Sequence, residues 1–376
     1  MTSLGLAVLL LVVAYVCGAT AATLRFARRR PGIAPGSPPV SVLKPLHEAE
    51  PGLDENLRSF AAQDYPEFQL VFGVRNRNDG ALPIARALIG DLPGRDIDLV
   101  VDSRVGGSNL KVANLENMLP AARHGLIVMA DSDMRVGRDY LRTVTAPLTD
   151  PAIGIVTCLY KGVPGPGLWS RLAALHINFG FLPSALVGEA LGLGGGCFGA
   201  TIALRREVLE RIGGFARIRD ELADDHRLGS AVRGLGLASV LSPYLVENLV
   251  SEPSLASLWR HELRWARTSR AMAPAGFAGS VTTHTVVVAG LAAAAWGAGV
   301  FWEIVALAMA LRWISAAIIA RALDLPRTGL WLLPVRDALS FAVFVASFCG
   351  RSVLWRGQLF RVEPSGQISV EGDKPA

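Results

Sequence analysis

The sequence predicts an α/β domain built on a mostly parallel sheet and carried between membrane helices near its two ends. Three observations point there. Between residues 40 and 250 short apolar runs alternate with helical patterns, as strands covered on both faces by helices do. Residues 3–24 carry no charge, and the C-terminal third turns apolar again. Bulk composition agrees: the 376 residues are 51% hydrophobic and 18% charged, with mean hydropathy +0.38. Soluble domains carry roughly 25% charged residues. A disordered or fibrous chain is excluded, and a purely soluble enzyme is argued against.

At ~1.5 Å per residue, 3–24 is long enough for a hydrocarbon core of about 30 Å. Its small-residue end, GATAAT, also resembles a signal-peptide cleavage site. A signal peptide, however, carries positive charge before its apolar stretch, and here Arg25, Arg28, Arg29 and Arg30 follow it. Residues 1–24 are therefore expected to be a retained anchor, N-terminus outside and the next domain cytoplasmic. Residues 25–39, with Pro31, Pro35, Pro38 and Pro39, form a basic, stiff linker.

Within 40–250, strands are expected at 40–43, 69–74, 97–101, 126–130, 153–157 and 201–204, and helices at 54–63, 81–89, 110–122, 138–147 and 205–212. Residues 251–280 read as an interfacial region. There, Arg260, Arg264 and Arg267 share one helical face opposite a Leu255, Leu258, Trp259, Leu263 and Ala266 stripe. In 281–355 an uncharged run, 285–302, is interrupted by Glu303 and continues over 304–320 with only Arg312, suggesting two helices. The apolar stretch 338–350, bounded by Asp337 and Arg351, is too short to span unless Ser352–Trp355 extend it; a re-entrant helix is the alternative. Residues 356–376 form a tail.

Four cysteines, Cys17, Cys158, Cys197 and Cys349, lie far apart, giving neither a zinc motif nor a disulfide framework and fitting a reducing compartment. The charge of +5 comes from 33 arginines and four lysines against 32 acids. It points to anionic headgroups and an anionic substrate rather than to nucleic acid.

Ligands of such sheets sit beyond the carboxyl ends of the strands. After the strand at 126–130 comes Asp131-Ser132-Asp133. Two carboxylates at that spacing reach one divalent cation, Mg²⁺ or Mn²⁺, with substrate phosphates completing the shell. The same residues also suit a plain turn before helix 138–147, and the residues alone leave both readings standing. Asp79 follows the strand at 69–74. Gly194-Gly195-Gly196-Cys197-Phe198-Gly199 matches GxGxxG but precedes a strand, so it reads as a turn where backbone approaches a ligand or strand, not as a dinucleotide fingerprint. Asp220, Glu221, Asp224 and Asp225 open a helix. They either complement its N-terminus or include a general base whose pKa a neighbouring carboxylate raises. Lys111 is either a solvated helix residue or a contact on the nucleotide side.

Taken in order, Asp79, Asp131-Ser132-Asp133, Asp225 and Arg264-Trp265 resemble the membrane glycosyltransferases of the GT-A fold, specifically the ceramide glucosyltransferase group. Lys44-Pro45-Leu46, Gln63-Asp64-Tyr65-Pro66, Asn109–Asn114, Arg205–Leu209 leading to Gly213-Gly214-Phe215, and Trp355-Arg356-Gly357 with Phe360-Arg361-Val362 extend the likeness over nearly the whole chain. ENLRSFAAQDYP, VVDSRVGGSNLKVANL, ADSDMRVGRDYL, VTCLYKG and HELRWART are similar to the bacterial branch that adds N-acetylglucosamine to hopanoids. His261 stands where the wider family has Gln or Arg, as is usual in that branch.

The resemblance implies an inverting transfer from a UDP-sugar to a membrane lipid, hopanoid or ceramide, at the cytoplasmic side of a bacterial inner membrane. Asp79 would contact the uridine, Asp131 and Asp133 the cation, and Lys111 the nucleotide side. Asp225 would act as base, Arg264 and Trp265 would stabilise the diphosphate, and His261 would bind substrate. A polysaccharide synthase would need more helices, a non-catalytic sugar-nucleotide binder would show degenerate carboxylates, and a transporter would lack the long polar domain.

Overall fold

The computed structural model describes residues 3–32, 36–193, 196–295, 300–355, 358–363 and 367–370. In chain order, α1 (Ser3–Ala27) is followed by β1 (Val40–Pro45), α2 (Leu53–Ala61), β2 (Phe68–Val74), α3 (Ala81–Asp91), β3 (Ile97–Val101), α4 (Leu110–Met118), β4 (Leu126–Met129), β5 (Met134–Arg135), α5 (Tyr140–Thr145) and β6 (Ile153–Pro164). Next come α6 (Leu168–His176), α7 (Leu182–Ala190), β7 (Ile202–Arg205), α8 (Arg206–Arg211), α9 (Asp224–Gly234) and β8 (Ala238–Val250). The rest is α10 (Leu255–Met272), α11 (Pro274–Gly279), α12 (Thr285–Ala294), α13 (Phe301–Ala322), α14 (Leu333–Ser347) and strands β9 (Ser352–Trp355), β10 (Gln358–Val362) and β11 (Ile368–Val370). Two compact units result: Arg30–Tyr160 with Gly195–Leu249, and Met1–Arg29 with Lys161–Gly194 and Val250–Ala376.

The first unit is α/β. Its sheet runs in the order β3-β2-β1-β4-β7-β6-β8-β5. β3, β2, β1 and β4 are parallel, whereas β7 runs antiparallel to β4 and β6, and β5 to β8. β1 and β4 are buried along their whole length. Val40, Val42 and Val128 face a core shared with Leu57 and Phe60 of α2 and Leu82 and Leu88 of α3. Leu43, Ile127 and Met129 face Val112, Leu115 and Met118 of α4 and Leu228 and Val232 of α9. This two-sided burial explains why the strands read as unbroken apolar runs. α4 lies so close to the sheet that a Cβ on Gly73 would stand 2.1 Å from Met118 Sδ.

Several element ends differ from expectation. The helix read over 110–122 stops at Met118 and tightens into a 3₁₀ turn, Leu119–Ala121, around Pro120. That read over 138–147 is the short α5 followed by a 3₁₀ turn, Ala146–Thr149. β6 continues past 157 to Pro164, and β8, broken in its alternation by Pro243, has no counterpart in the sequence reading.

The second unit contains three helices long and apolar enough to cross a membrane, Gly5–Ala27, Phe301–Ala322 and Leu330–Ser347. A fourth span arises if Pro274–Thr283 and Thr285–Ala294, bent by 76°, count as one. Glu303 does not separate two helices: it lies in the first turn of α13. Nor do Ser352–Trp355 lengthen the last helix. They form β9, and the helix instead begins upstream, taking in Arg336 and Asp337. Both charges are buried because both are paired. Asp337 meets Arg312 of α13 at 3.1 Å, and Arg336 makes a bidentate pair with Glu262 of α10, each bond 2.7 Å. α6 and α7, joined through a π turn at Ile177–Phe181, belong to this unit rather than to the α/β unit that the sequence reading draws across 40–250. Tyr15 of α1 bonds Ser184 of α7 at 2.8 Å, and Arg29 pairs with Glu189 at 2.7 Å.

Candidate active site

The carboxyl end of β4 delivers Asp131-Ser132-Asp133, and the turn closes at once into β5. Pairing of β5 with β8 fixes the turn from the other side: Leu249 N–H donates to Asp133 O at 3.2 Å and Asn248 Nδ2 to Asp133 Oδ2 at 2.7 Å. Ser132 Oγ donates to Glu50 Oε2 at 2.7 Å. Beneath the turn lies Lys44, with no exposed surface, its ammonium 3.9 Å from the Phe60 ring centroid and donating to the Asp131 carbonyl at 2.5 Å. Burial pushes Lys44 down to about 7, against the pull of Asp133, Asp131 and Glu50. Loss of hydration, then the charges of Asp131 and Glu50, push Asp133 up to about 6.

α4 and α9 bring the other half. Asn109 caps α4, its side chain accepting from the amides of Lys111 and Val112, and donates Nδ2–H to the Glu221 carbonyl at 2.8 Å. One residue thus ties the start of α4 to the chain entering α9. Of the four acids read as opening that helix, Asp220 and Glu221 precede it. Asp220 accepts from Ser108 N–H at 2.8 Å and Glu221 pairs with Arg227 at 3.1 Å. Asp224 and Asp225 occupy the first turn. Lys111 Nζ reaches Asp131 Oδ1 at 2.6 Å and Asp224 Oδ2 at 3.5 Å. The alternative of a freely solvated lysine is thereby removed.

Gly199 joins the two halves. Its amide donates to Asp225 Oδ2 at 2.9 Å, and a Cβ placed on it would meet Asp131 Oδ2 at 3.3 Å, Lys111 Nζ at 3.3 Å and Asp225 Oδ2 at 3.5 Å. The loop comes this close because α9 carries Gly229, where a Cβ would stand 2.7 Å from that of Cys197. Phe198 N–H donates to Thr157 Oγ1 at 2.8 Å and holds the loop to β6. Of the glycine-rich motif, Gly194 and Gly195 lie outside the described residues, as do Arg356 and Gly357 of the C-terminal motif. Asp225 Oδ1 accepts from the His226 amide at 2.7 Å. Burial first, then neighbouring Asp224, push its carboxyl up to about 6, the range in which a general base works. Lys111, Asp131, Gly199 and Asp224 line a cavity together with apolar side chains such as Leu115, Met129, Ile202 and Phe215.

Asp79 stands in the loop between β2 and α3. Its Oδ1 accepts from the amides of Glu48 at 2.7 Å and Ala81 at 2.9 Å, Oδ2 lies 3.3 Å from His47 Nδ1, and only 5% of the side chain is exposed. It clamps the loop after β1 to the start of α3.

The donor set suits a hard divalent cation. Asp131, Asp133, Asp224, Asp225 and Glu50, five carboxylates, face two lysines, Lys44 and Lys111, and carboxylate oxygen is the donor that Mg²⁺ and Mn²⁺ prefer. Among the described residues no three Asp, Glu, His or Cys side chains enclose a metal by themselves. A cation here needs oxygens from a bound substrate, the usual situation for Mg²⁺.

His261, Arg264 and Trp265 lie on α10, in the other unit. His261 Nδ1 meets Glu252 Oε1 at 2.8 Å, and its ring lies edge-on to Trp265, centroids 4.4 Å apart. Arg267 does not point to headgroups: it donates to the carbonyls of Cys349, at 2.6 Å, and Ser352. Gly199 belongs to the turn read as a close backbone approach, whereas Lys44, Gly229 and Glu252 were given no role of their own by the sequence reading. A lysine inside an apolar strand was the one available signal for Lys44.

A family model described as Glycosyl transferase family 21 matches residues 6–368. Ceramide glucosyltransferase 1 of Caenorhabditis elegans is 25% identical over 241 residues, 64% of this chain and 52% of that protein. Ceramide glucosyltransferase 3 of the same organism is 24% identical over 238 residues, 63% of this chain and 52% of that protein. The chain thus spans about half the length of the curated relatives it matches. Mannosyltransferase PcManGT from Pyrobaculum calidifontis, solved with GDP-Man and Mn²⁺, superposes with a TM-score of 0.56 at 19% identity, covering 91% of this chain and 99% of that one. At such identity the likeness establishes the fold, which is that of GT-A glycosyltransferases.

Proposed function

The chain belongs to glycosyl transferase family 21, and on that premise we propose that it moves a sugar from a UDP-sugar to the hydroxyl of a membrane lipid, with inversion at the anomeric carbon. The observation that carries this reading is the meeting of Asp131, Lys111 and Asp225 around Gly199, at the carboxyl end of β4. Asp225 takes the proton of the acceptor hydroxyl as its oxygen bonds to the anomeric carbon and the bond to the diphosphate breaks on the opposite face. The Gly199 and His226 amides hold the Asp225 carboxylate still for that purpose. Asp131 and Asp133 would hold Mg²⁺ or Mn²⁺. When bound, the cation supplies charge neutralisation on the departing diphosphate. Lys44 and Asn248 keep the turn that bears both carboxylates in place. Asp79 would contact the uridine, as its motif implies, besides clamping its loop. Arg264, Trp265 and His261 enter on their motif: the arginine to stabilise diphosphate charge, the histidine to bind substrate.

The acceptor is a lipid because the chain carries its own membrane helices and a lipid substrate stays in the bilayer. The arginines after α1 support a cytoplasmic α/β unit at a bacterial inner membrane, where sugar nucleotides are made. The finer reading is N-acetylglucosamine transferred to a hopanoid, bacteriohopanetetrol, supported by the long motif stretches such as HELRWART. A second reading, glucose transferred to ceramide, is supported by the curated relatives.

Mass spectrometry of lipids from cells with and without the gene tests the choice, backed by the purified chain incubated with each sugar nucleotide. A missing N-acetylhexosaminyl hopanoid supports the first reading and a missing hexosylceramide the second. An unchanged lipid profile with no transfer in vitro overturns both.

A further inference from the structure

Glu252 lies between β8 and α10, outside every motif named above. Its side chain is 6% exposed, and Ser170 of α6, itself buried, brackets its backbone: Glu252 N–H donates to Ser170 Oγ at 3.0 Å, and Ser170 Oγ donates to the Glu252 carbonyl at 3.4 Å. So fixed, the carboxylate Oε1 stands 2.8 Å from His261 Nδ1. Burial alone would raise the Glu252 carboxyl, but hydrogen bonds from His261 and Ser257 outweigh it and hold the group below its usual range. Near neutral pH it is therefore ionised, and an ionised carboxylate only accepts hydrogen bonds. The proton between them belongs to Nδ1. In a neutral ring the other nitrogen, Nε2, then has a lone pair and no hydrogen. The ring is 40% exposed and braced edge-on by Trp265, one helical turn away. α10 is held as firmly from its other side by the Glu262–Arg336 pair.

Granting the lipid-acceptor reading above, we infer that Glu252 is a positioning residue that fixes the Nδ1–H form of His261, so that Nε2 accepts a hydrogen bond from a hydroxyl of the acceptor headgroup. Glu252 touches no substrate itself; it acts through the imidazole.

The full chain in lipid nanodiscs with ¹⁵N-labelled histidine tests this. The chain has six histidines, and His261→Gln assigns the relevant signal. In the wild type, His261 should show a protonated Nδ1 and a bare Nε2. In Glu252→Ala that signal should shift towards the Nε2–H form. Kinetically, Glu252→Ala should raise the acceptor KM about tenfold, the scale of one lost hydrogen bond, and leave the donor KM and the slow hydrolysis of UDP-sugar without acceptor unchanged. Glu252→Gln, whose amide oxygen still accepts from Nδ1–H, should recover most of the loss and guards against a misfolded alanine variant. A doubly protonated ring in the wild type, a tautomer indifferent to residue 252, or a donor KM rising with the acceptor KM overturns the inference. Absence of lipid transfer by the wild type overturns the acceptor reading and the hydroxyl contact with it. The ring spectrum separates that failure from failure of the Glu252 hold.

Discussion

The Gly199 amide donates a 2.9 Å hydrogen bond to the Asp225 carboxylate, and the same glycine has no room for a side chain beside Asp131 and Lys111. A loop running into one strand thereby orients the carboxylate proposed as general base, on a helix that follows it in sequence. Gly199→Ala should fold, since its backbone needs no left-handed conformation and a surface-cleft methyl costs ~1 kcal/mol or less. Asp131 Oδ2 and Lys111 Nζ, each 3.3 Å from the added methyl, must nevertheless give way, so kcat should fall by about tenfold or more, as misplacement near the reacting atoms does. A melting curve beside a transfer assay checks both halves.

Asp225→Asn keeps the shape and removes the base. Transfer should drop by about 10²–10⁴-fold, the usual contribution of general base catalysis, while UDP still binds by calorimetry. The wild-type carboxyl, pushed up to about 6, works only when deprotonated. The rate should therefore fall as pH drops through about 6 and level off above it. A rate independent of pH between 5 and 7 would contradict the assignment.

Asp133 bears on the cation in the same direction. Its carboxyl is also raised to about 6 and must lose its proton to bind metal. Mn²⁺ affinity in the presence of UDP, followed by electron paramagnetic resonance, should weaken steeply below pH 6. Chelation should stop turnover, and Mn²⁺ or Mg²⁺ should restore it. Asp133→Asn should lose the pH dependence together with most of the affinity.

The placement of Asp131 and Asp133 after a buried strand, and of Asp225 in a helix's first turn, was legible because acids at such positions stand out against apolar surroundings. Their company was not. Gly199 and Gly229 matter only through the approach of a loop to a helix some thirty residues on, which no local pattern encodes. The partners of Asp79 were not legible either: two backbone amides and His47, on the loop after β1 and the start of α3, meet its oxygens. The helices α6 and α7 escaped as a membrane-unit element because Arg171, His176 and Glu189 break their apolar run. Glu189 is matched by Arg29, a partner invisible at that distance in sequence. Arg336 and Asp337 likewise looked like the edge of a short apolar stretch, when pairing with Glu262 and Arg312 lets the helix pass through them.

Lys44 offers a test of the buried group beneath the turn proposed to hold the cation. Lys44→Met keeps the stem against Phe60 and deletes the donor to the Asp131 carbonyl. An unsatisfied buried acceptor costs about 1–3 kcal/mol. That loss is partly offset by relief of burying an ammonium, which already pushes Lys44 down to about 7. The variant should be less stable in urea at about pH 10, and the difference should shrink as pH falls from about 10.5 to 7 and stay constant below 7. The sign follows from linkage: a lysine whose folded pKa is depressed binds more protons unfolded between about pH 7 and 10.5. The wild type therefore loses stability on acidification through that window, and the methionine variant does not.

The Glu262–Arg336 pair decides how α10 is held to α14, and here single and double substitutions should behave in opposite ways. Arg336 is 1% exposed and bonds both oxygens of Glu262 at 2.7 Å, with Ser340 Oγ and the Leu172 carbonyl taking further donors. Removing one partner strands a charge in an apolar setting and costs roughly 3–5 kcal/mol. Glu262→Leu and Arg336→Met singly should each lower the thermal midpoint sharply and reduce transfer, because His261, Arg264 and Trp265 ride on the same helix. Glu262→Leu with Arg336→Met together removes both charges and leaves two side chains of suitable volume, so stability should return close to wild type or above it. Activity provides the sharper reading. If the pair serves only to fix α10, transfer should recover with stability in the double variant. Recovery of stability without transfer would instead mean that the ion pair sets the angle of α10 finely enough for the chemistry to depend on it.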